Sequence, residues 1–305
     1  MRKILYIVIA LSLIPSCRSE ERAELVFGVM SSMDYLPVAV AQKMEYFEKR
    51  GVSVKIEKFY SANDRDAAFQ SGAIDGTIID YTGALLQWAG GVELKITSAC
   101  DGTFCIMSSP ASGIESVQGL KGKRLSVSRN TVIDFCIDMA LLSVGINLSD
   151  VTKQEINKIP VRYEILISGQ SDATALPDPF VTIAKENGAK LLLDMNDLGY
   201  SVTGIMFREE SLAAKDEMVK RFYSAYNDAV NYLGSAIPFN IIDILTKDIG
   251  FPENLVTGIT LPNYSKAAAP SEKDMNDTYM WLRSRELIKE EFDPADLLDL
   301  RYISE

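Results

Sequence analysis

A short phrase that joins a helix to a strand occurs twice in this chain, about a hundred residues apart. Residues 69–76 have the sequence FQSGAIDG, and residues 166–173 have the sequence LISGQSDA. In each, a Ser-Gly pair ends an apolar helical pattern and an aspartate begins an apolar strand. Glycine accepts the left-handed backbone that ends a helix, so the chain can re-enter a sheet at once. The repetition predicts two lobes of similar build.

Strand-like and helix-like segments alternate at short intervals around both copies of this phrase. An apolar strand over 25–29 precedes a helical pattern that Pro37 opens, and a second strand follows over 52–59. The pattern restarts with a strand over 125–127 and a helix that ends at Gly145. Such alternation is typical of βαβ units and a mostly parallel sheet. The expected fold class is therefore α/β, with two lobes.

The N-terminus has the pattern of an export signal. Two basic residues precede an apolar run over 4–13, and Ile14-Pro15-Ser16-Cys17 closes it. The run is too short to span a bilayer as a mature helix. A small residue directly before a cysteine resembles a bacterial lipobox, which implies a lipoprotein signal peptide over 1–17 and a lipid on Cys17. The alternative is cleavage nearby and a soluble secreted protein. Both place the working part outside the cytoplasmic membrane.

Composition excludes several partners and chemistries. The net charge of −11 disfavours nucleic acid and anionic membrane surfaces, although solubility alone also explains it. No later apolar run reaches transmembrane length, so the lipid would be the only membrane attachment. The chain has no histidine, which removes the commonest general base and zinc ligand. Cys105 and Cys136 lie in apolar contexts and are expected to be buried free thiols. We expect no enzyme activity, no metal and no cofactor.

Several segments, taken in their order along the chain, resemble segments of ABC-transporter substrate-binding proteins of the nitrate, sulfonate and thiamine-pyrimidine class. The segments that carry the resemblance are Tyr46–Val54, Ser71–Asp75, Leu120–Lys123, Gly145–Val151 and Ser168–Ala173, the last followed by Pro177-Asp178-Pro179-Phe180. Glu45 stands where that family prefers glycine.

The resemblance implies a periplasmic-binding-protein fold of type II, in which two α/β lobes hold a ligand cleft between them. Lobe one would comprise 24–105 plus 205–305, and lobe two 106–204. The implied function is the extracytoplasmic solute-binding component of an ABC importer. Its partners would be a small-molecule ligand and a membrane permease, and the protein is expected to be a monomer.

In open α/β sheets, ligands bind beyond the carboxyl ends of the strands, near helix N-termini. This rule selects five loops, and two further residues lie near the expected crossings between lobes. The predicted ligand-binding residues are Ser32, Asp34, Tyr35, Tyr60, Asn63, Asp80, Tyr81, Asp101, Arg129, Asn130, Thr131, Asp178 and Thr203. Helix capping alone also explains a serine, threonine or asparagine at these places. A half-buried position at the rim also explains the tyrosines.

The charges of these loops favour one ligand class over another. Asp34, Asp80, Asp101 and Asp178 stand against one clear cation, Arg129. Carboxylates and aromatic walls suit an amine-bearing or neutral heterocycle, such as a thiamine-pyrimidine precursor or a flavin-like ring. The alternative ligand is a sulfonate- or nitrate-type anion, for which Arg129 would be the contact. A ligand-sensing ectodomain is a second alternative function. A pyrimidine-synthesis enzyme of the same fold is least favoured, because that branch uses a histidine.

Overall fold

The computed structural model describes residues 24–235, 241–256, 259 and 261–303. The export signal over 1–17 and Cys17 lie outside these residues, so cleavage and lipidation stay predictions. Within the described ranges, no helix combines the length and the apolar character needed to cross a membrane.

The strands and helices follow each other along the whole described chain. The strands are β1 (Leu25–Met30), β2 (Val54–Phe59), β3 (Gly76–Asp80), β4 (Leu94–Cys100), β5 (Cys105–Ser108), β6 (Arg124–Val127), β7 (Thr152–Glu155), β8 (Ala173–Leu176), β9 (Lys190–Asp194) and β10 (Thr203–Arg208). The helices are α1 (Leu36–Lys43), α2 (Tyr46–Lys49), α3 (Ala62–Gln70), α4 (Tyr81–Ala89), α5 (Val132–Ser143), α6 (Ile159–Ile167), α7 (Phe180–Glu186), α8 (Glu209–Ala214), α9 (Asp216–Gly234), α10 (Ile242–Ile244) and α11 (Glu272–Ser284).

The strands form two five-stranded sheets. The first has the order β2-β1-β3-β10-β4, and the second has the order β7-β6-β8-β5-β9. In each sheet one strand, β10 in the first and β5 in the second, runs opposite to the other four. The prediction of an α/β fold with two lobes and mostly parallel sheets is confirmed. We call the first sheet with its helices lobe one, and the second sheet with α5, α6 and α7 lobe two.

The chain crosses between the sheets twice. Residues 101–104 lead from β4 into β5, and residues 195–202 lead from β9 into β10. Lobe two is thus an insertion in lobe one, which closes its sheet only after the second crossing. The expected lobe boundaries follow the same division of the chain. That the two lobes move as separate bodies stays a prediction.

The repeated phrase makes the same hydrogen bonds in both sheets. The N–H of Asp75 donates to the carbonyl of Val26, and its carboxylate accepts from the N–H of Val26, both at 2.8 Å. Asp172 makes the equivalent pair of bonds with Arg124, also at 2.8 Å. The glycine of each phrase has a left-handed φ, of +75° and +73°. The aspartate therefore fixes the central strand of each sheet against the strand beside it.

The core of lobe one lies between the first sheet and helices α1, α2 and α9. Phe222 of α9 packs its ring 4.8 Å from that of Phe27 in β1 and 5.4 Å from that of Phe47 in α2. Apolar residues recur along α9 with helical spacing and face this core. Glu45 has a left-handed φ of +58°, a backbone conformation that glycine adopts without strain.

The C-terminal helix α11 joins lobe one to α5 of lobe two. The indole nitrogen of Trp281 donates to Asp138 at 2.9 Å. Arg285 pairs with Asp138 at 2.8 Å and with Asp134 at 3.0 Å. Lys153 pairs with both carboxylates, whose side chains are completely buried. We call Asp134, Asp138, Lys153 and Arg285 the ion cluster.

Candidate functional site

A small cavity lies where the carboxyl ends of strands from both sheets face each other. Met30 ends β1 and Asp80 ends β3, while Ser128 follows β6 and Pro177 follows β8, and all four line the cavity. Its volume is about 50 Å³, which is room for a few water molecules. Such a place, outside the strand ends and between two lobes, is where α/β sheets bind ligands.

The structure brings eight of the predicted ligand-binding residues to this region. The cavity itself is lined by Ser32, Asp34, Asp80, Thr131 and Thr203. Asn63, Arg129 and Asn130 line a neighbouring groove that also runs between the lobes.

The remaining predicted residues have other surroundings. Tyr35 and Tyr81 are buried in apolar clusters, so their rings fill hydrophobic cores and do not face the cavity. Tyr60 is 56% exposed, and its carbonyl accepts from the N–H at the start of α6, at 3.4 Å. Asp101 accepts from the N–H of Ser265 at 2.7 Å. The aromatic wall that a stacked heterocycle needs is not formed by these tyrosines.

Asp178 does not line the cavity either. Its carboxylate accepts from the N–H and the hydroxyl of Thr182, at 2.9 and 2.7 Å, within the turn of α7. The aromatic side chain that does line the cavity is Phe104, in the first crossing. As ligand contacts, the predicted residues stay predictions.

Two cavity residues also cap helices. Asp80 accepts from the N–H of Gly83 at 2.9 Å and so caps α4. Thr131 accepts from the N–H of Ile133 at 3.3 Å and so caps α5. The twelve-residue helix α5 thus begins at the cavity wall, with its positive end close to the space inside. This arrangement favours negative charge in the cavity.

The two crossings meet at Asp34, on the floor of the cavity. The Thr203 hydroxyl accepts from the N–H of Gly102 at 3.0 Å and donates to the carbonyl of Cys100 at 2.8 Å. A side chain at position 102 would lie 2.8 Å from Asp34 Oδ2 and 2.6 Å from Thr203 Oγ1. Glycine is therefore needed at this close approach. Burial raises the pKa of Asp34, although a hydrogen bond from the Ser32 hydroxyl partly offsets this effect.

One buried arginine on the cavity wall is neutralised by lobe one itself. Arg65, in α3, is 3% exposed and pairs with Asp66 at 2.8 Å and with Asp80 at 3.3 Å. Burial alone would lower its pKa, but the two carboxylates raise it above the usual value. The positive charge of Arg65 is thus matched within the protein.

The other buried arginine, Arg162, is not neutralised. It belongs to α6 of lobe two and is 1% exposed. Its Nη1 donates to the carbonyls of Ile156 and Asn157, at 3.0 and 3.1 Å. Its Nε has no partner, and no described carboxylate lies within salt-bridge distance. Burial lowers the pKa of Arg162 to about 10, so it stays charged at neutral pH.

Arg162 is not among the residues predicted from the sequence, although its helix carries a signal. Ile159, Arg162 and Leu166 follow each other at the spacing of one helix face, and all three are buried. An arginine between apolar residues on a buried face is unusual, because burial of an unpaired charge is costly. The charge balance drawn from Arg129 alone was therefore incomplete. Arg129 lies on the outer edge, with its Nε 3.7 Å from Glu155.

The sequence of this chain is similar to that of a named binding protein. A Bacillus subtilis protein named for the binding of aliphatic sulfonates is 27% identical over 222 residues. The match covers 68% of this chain and 64% of that protein. The chain thus spans slightly less than two thirds of the length of this relative.

Solved structures share the fold at low identity. The alkanesulfonate-binding protein SsuA of Xanthomonas axonopodis pv. citri, solved with MOPS, matches with a TM-score of 0.78 at 20% identity. The match covers 91% of this chain and 98% of that one. The desulfurization enzyme DSZB matches with a TM-score of 0.69 at 13% identity, covering 92% and 97%. The same fold thus occurs in a binding protein and in an enzyme.

A family model decides the relationship. It matches residues 32–235, which include most of the cavity wall and both crossings. The match covers more than half of the chain, and the two-lobed fold agrees with it. This chain belongs to the NMT1/THI5-like family.

Proposed function

We propose that this protein is the extracytoplasmic solute-binding component of an ABC importer, and that it captures a small oxyanion of the sulfonate type. The observation that carries the proposal is the unpaired guanidinium of Arg162 on the wall of the cavity between the lobes. A buried cation without a counter-charge is costly, and an anionic ligand removes that cost. Arginine also offers a planar set of donors that suits an oxyanion.

The start of helix α5 near Arg162 supports an oxyanion in the same place. Ser128 and Thr131 also line the cavity, although their hydroxyl groups already donate, to Asn157 Oδ1 at 3.2 Å and to the carbonyl of Ser128 at 2.8 Å. Arg65, on the side of lobe one, adds no net positive charge, because Asp66 and Asp80 balance it. The sulfonate relative from Bacillus subtilis agrees with this ligand class.

The proposed act is capture and not catalysis. Arg162, Ser128 and Thr131 belong to lobe two, while Asp34, Asp80 and Arg65 belong to lobe one. A ligand that touches both groups makes some contacts only when the lobes are closed, and those contacts drive closure. The closed form would then dock on a membrane permease. A lipid on Cys17 would hold the protein at the membrane and so raise the effective concentration of the protein near that permease.

A heterocycle with an amine stays the alternative ligand. Asp34 is the observation in its favour, because its carboxylate is buried at the cavity and has no paired cation in direct contact. A ligand-sensing ectodomain that uses the same site differs only in its partner, which a neighbouring permease gene would distinguish.

Calorimetry and thermal unfolding of the mature chain test the proposal. The panel is ethanesulfonate, nitrate, a hydroxymethylpyrimidine and riboflavin. A ligand at a hundred times its Kd stabilises the native state by about 2.7 kcal/mol, which raises Tm by roughly 4–5 °C. We expect this shift with the sulfonate and its loss in Arg162→Gln. Arg50→Gln, which breaks an exposed ion pair with Asp228 and lines neither the cavity nor the neighbouring groove, is the matched control and should bind as the parent does. Binding of the pyrimidine or riboflavin alone would refute the oxyanion proposal.

A further inference from the structure

We infer that the groove beside the cavity is a second subsite, centred on Gln87, which binds a hydrogen-bond-donating end of the same ligand. The inference rests on the proposed function, because the cavity at Arg162 is taken to hold the anionic end. It adds the chemistry of the other end, which should be an amine or amide and not a plain hydrocarbon.

The groove continues directly from the cavity. It has a volume of about 380 Å³ and shares the wall residues Ala62, Asp80 and Thr131 with the cavity. Like the cavity, it takes residues from both lobes, for example Asn63 from lobe one and Asn130 from lobe two. The cavity holds only a few atoms, so the rest of a longer ligand has to lie in neighbouring space. The groove is such a space, and lobe closure would cover both parts.

Gln87 is the observation that points to a ligand in the groove. It belongs to α4, lines the groove and is 4% exposed. Neither its amide nitrogen nor its amide oxygen has a hydrogen-bond partner. Buried amides are almost always bonded, because an unpaired buried amide is costly. A polar group of a ligand would supply the missing partner.

The charges around Gln87 select which polar group that is. The carboxylates on the groove wall are Asp66, Asp80 and Glu155, and the only cation among the described wall residues is Arg129. Burial raises the pKa of Asp66, although Arg65 opposes that effect. Arg65 pairs with Asp66 and Asp80, and Arg129 lies 3.7 Å from Glu155, so three carboxylates stand against two cations and a second anion would meet net negative charge. An ammonium or amide group would instead donate to Gln87 Oε1 and to the nearby carboxylates.

Two sulfonates of equal length test this inference by calorimetry on the mature protein. Butane-1-sulfonate and 3-aminopropane-1-sulfonate differ only in the end group, which is a methyl in one and an ammonium in the other. We expect the amino compound to bind about tenfold more tightly. Gln87→Leu should reduce this preference, with the remainder due to the groove carboxylates, and leave the affinity for butane-1-sulfonate unchanged or higher. Gln118→Leu, an exposed glutamine of lobe two, is the control and should keep the preference.

A second variant covers the case in which Gln87→Leu does not fold. Gln87→Glu has the same shape and adds a negative charge, so it should increase the preference for the amino compound. Equal binding of the two sulfonates, with no effect of either Gln87 variant, would overturn the inference and leave the proposed function standing. Failure of both sulfonates to bind would overturn the proposed function, and the inference with it.

Discussion

The ion cluster between α5 and α11 gives the sharpest prediction about stability. In Asp138→Asn, Lys153 and Arg285 lose one of the two carboxylates that balance them, while Trp281 can still donate to the new amide oxygen. Removal of one partner from a buried ion pair costs about 3–5 kcal/mol. The lower end applies here, because Arg285 is 24% exposed and water can solvate it in part. We expect a loss of about 3 kcal/mol, or a fall in Tm of roughly 5 °C.

Urea denaturation followed by tryptophan fluorescence measures this loss. The matched control is Asp277→Asn, which breaks an exposed i,i+4 pair with Lys273 on the same helix. Such a surface pair contributes about 0.3–0.5 kcal/mol. If Asp138→Asn cost less than about 1 kcal/mol, or no more than the control, the ion cluster would not hold α11 on lobe two.

Three further predictions concern the crossings, the cavity floor and the repeated phrase. Gly102→Ala should weaken sulfonate binding about tenfold by calorimetry, because its methyl group would meet Thr203 at 2.6 Å, whereas Gly234→Ala, with open space around it, should not. Burial raises the pKa of Asp34 above its ordinary value of 3.8. As the pH rises, the unfolded chain therefore loses the Asp34 proton before the folded chain does. The contribution of Asp34 to the free energy of unfolding falls as the pH passes from the unfolded to the folded pKa. Urea denaturation from pH 4 to 8 should therefore show Asp34→Asn gaining on the parent as the pH rises, and a constant difference would contradict this. Asp75→Ala removes the carboxylate that accepts from β1, α8 and the lysine after α8, and should lower the free energy of unfolding by about 2–3 kcal/mol in the same assay.

Much of the fold could be predicted because local signals set it. The helix stops at Gly72 and Gly169 and the caps at Ser61 and Thr131 are properties of single residues in the backbone around them. Strands β5, β7 and β10 were not predicted. Each is short or lies beside a crossing, and β10 pairs with β3, 123 residues earlier at the Thr203–Asp80 pair. Such pairing depends on the whole chain and leaves little local pattern.

The candidate site could be predicted in position but less well in chemistry. Ser32, Asp34 and Asp80, which were predicted from loops after strands, line the cavity, since the carboxyl ends of strands meet at one edge; their contact with a ligand stays a prediction. Whether a tyrosine after a strand faces a cavity or a core depends on how distant helices pack against it. Tyr81, for example, lies in a hydrophobic core. Arg162 was missed because only the folded structure reveals that no acid accompanies it. The C-terminal helix α11 was missed because its segment follows an irregular, proline-containing stretch.

The place of β10 in the first sheet determines how this protein can be made. Until Thr203–Arg208 is available, β3 and β4 have no partner between them, and each exposes an open edge. A chain that grows from its N-terminus therefore holds an incomplete first sheet through the synthesis of all of lobe two. Open strand edges promote association with other chains. The second sheet takes all its strands from one continuous segment, Cys105–Asp194, whereas a chain that ends anywhere in lobe two lacks β10 and leaves the first sheet incomplete.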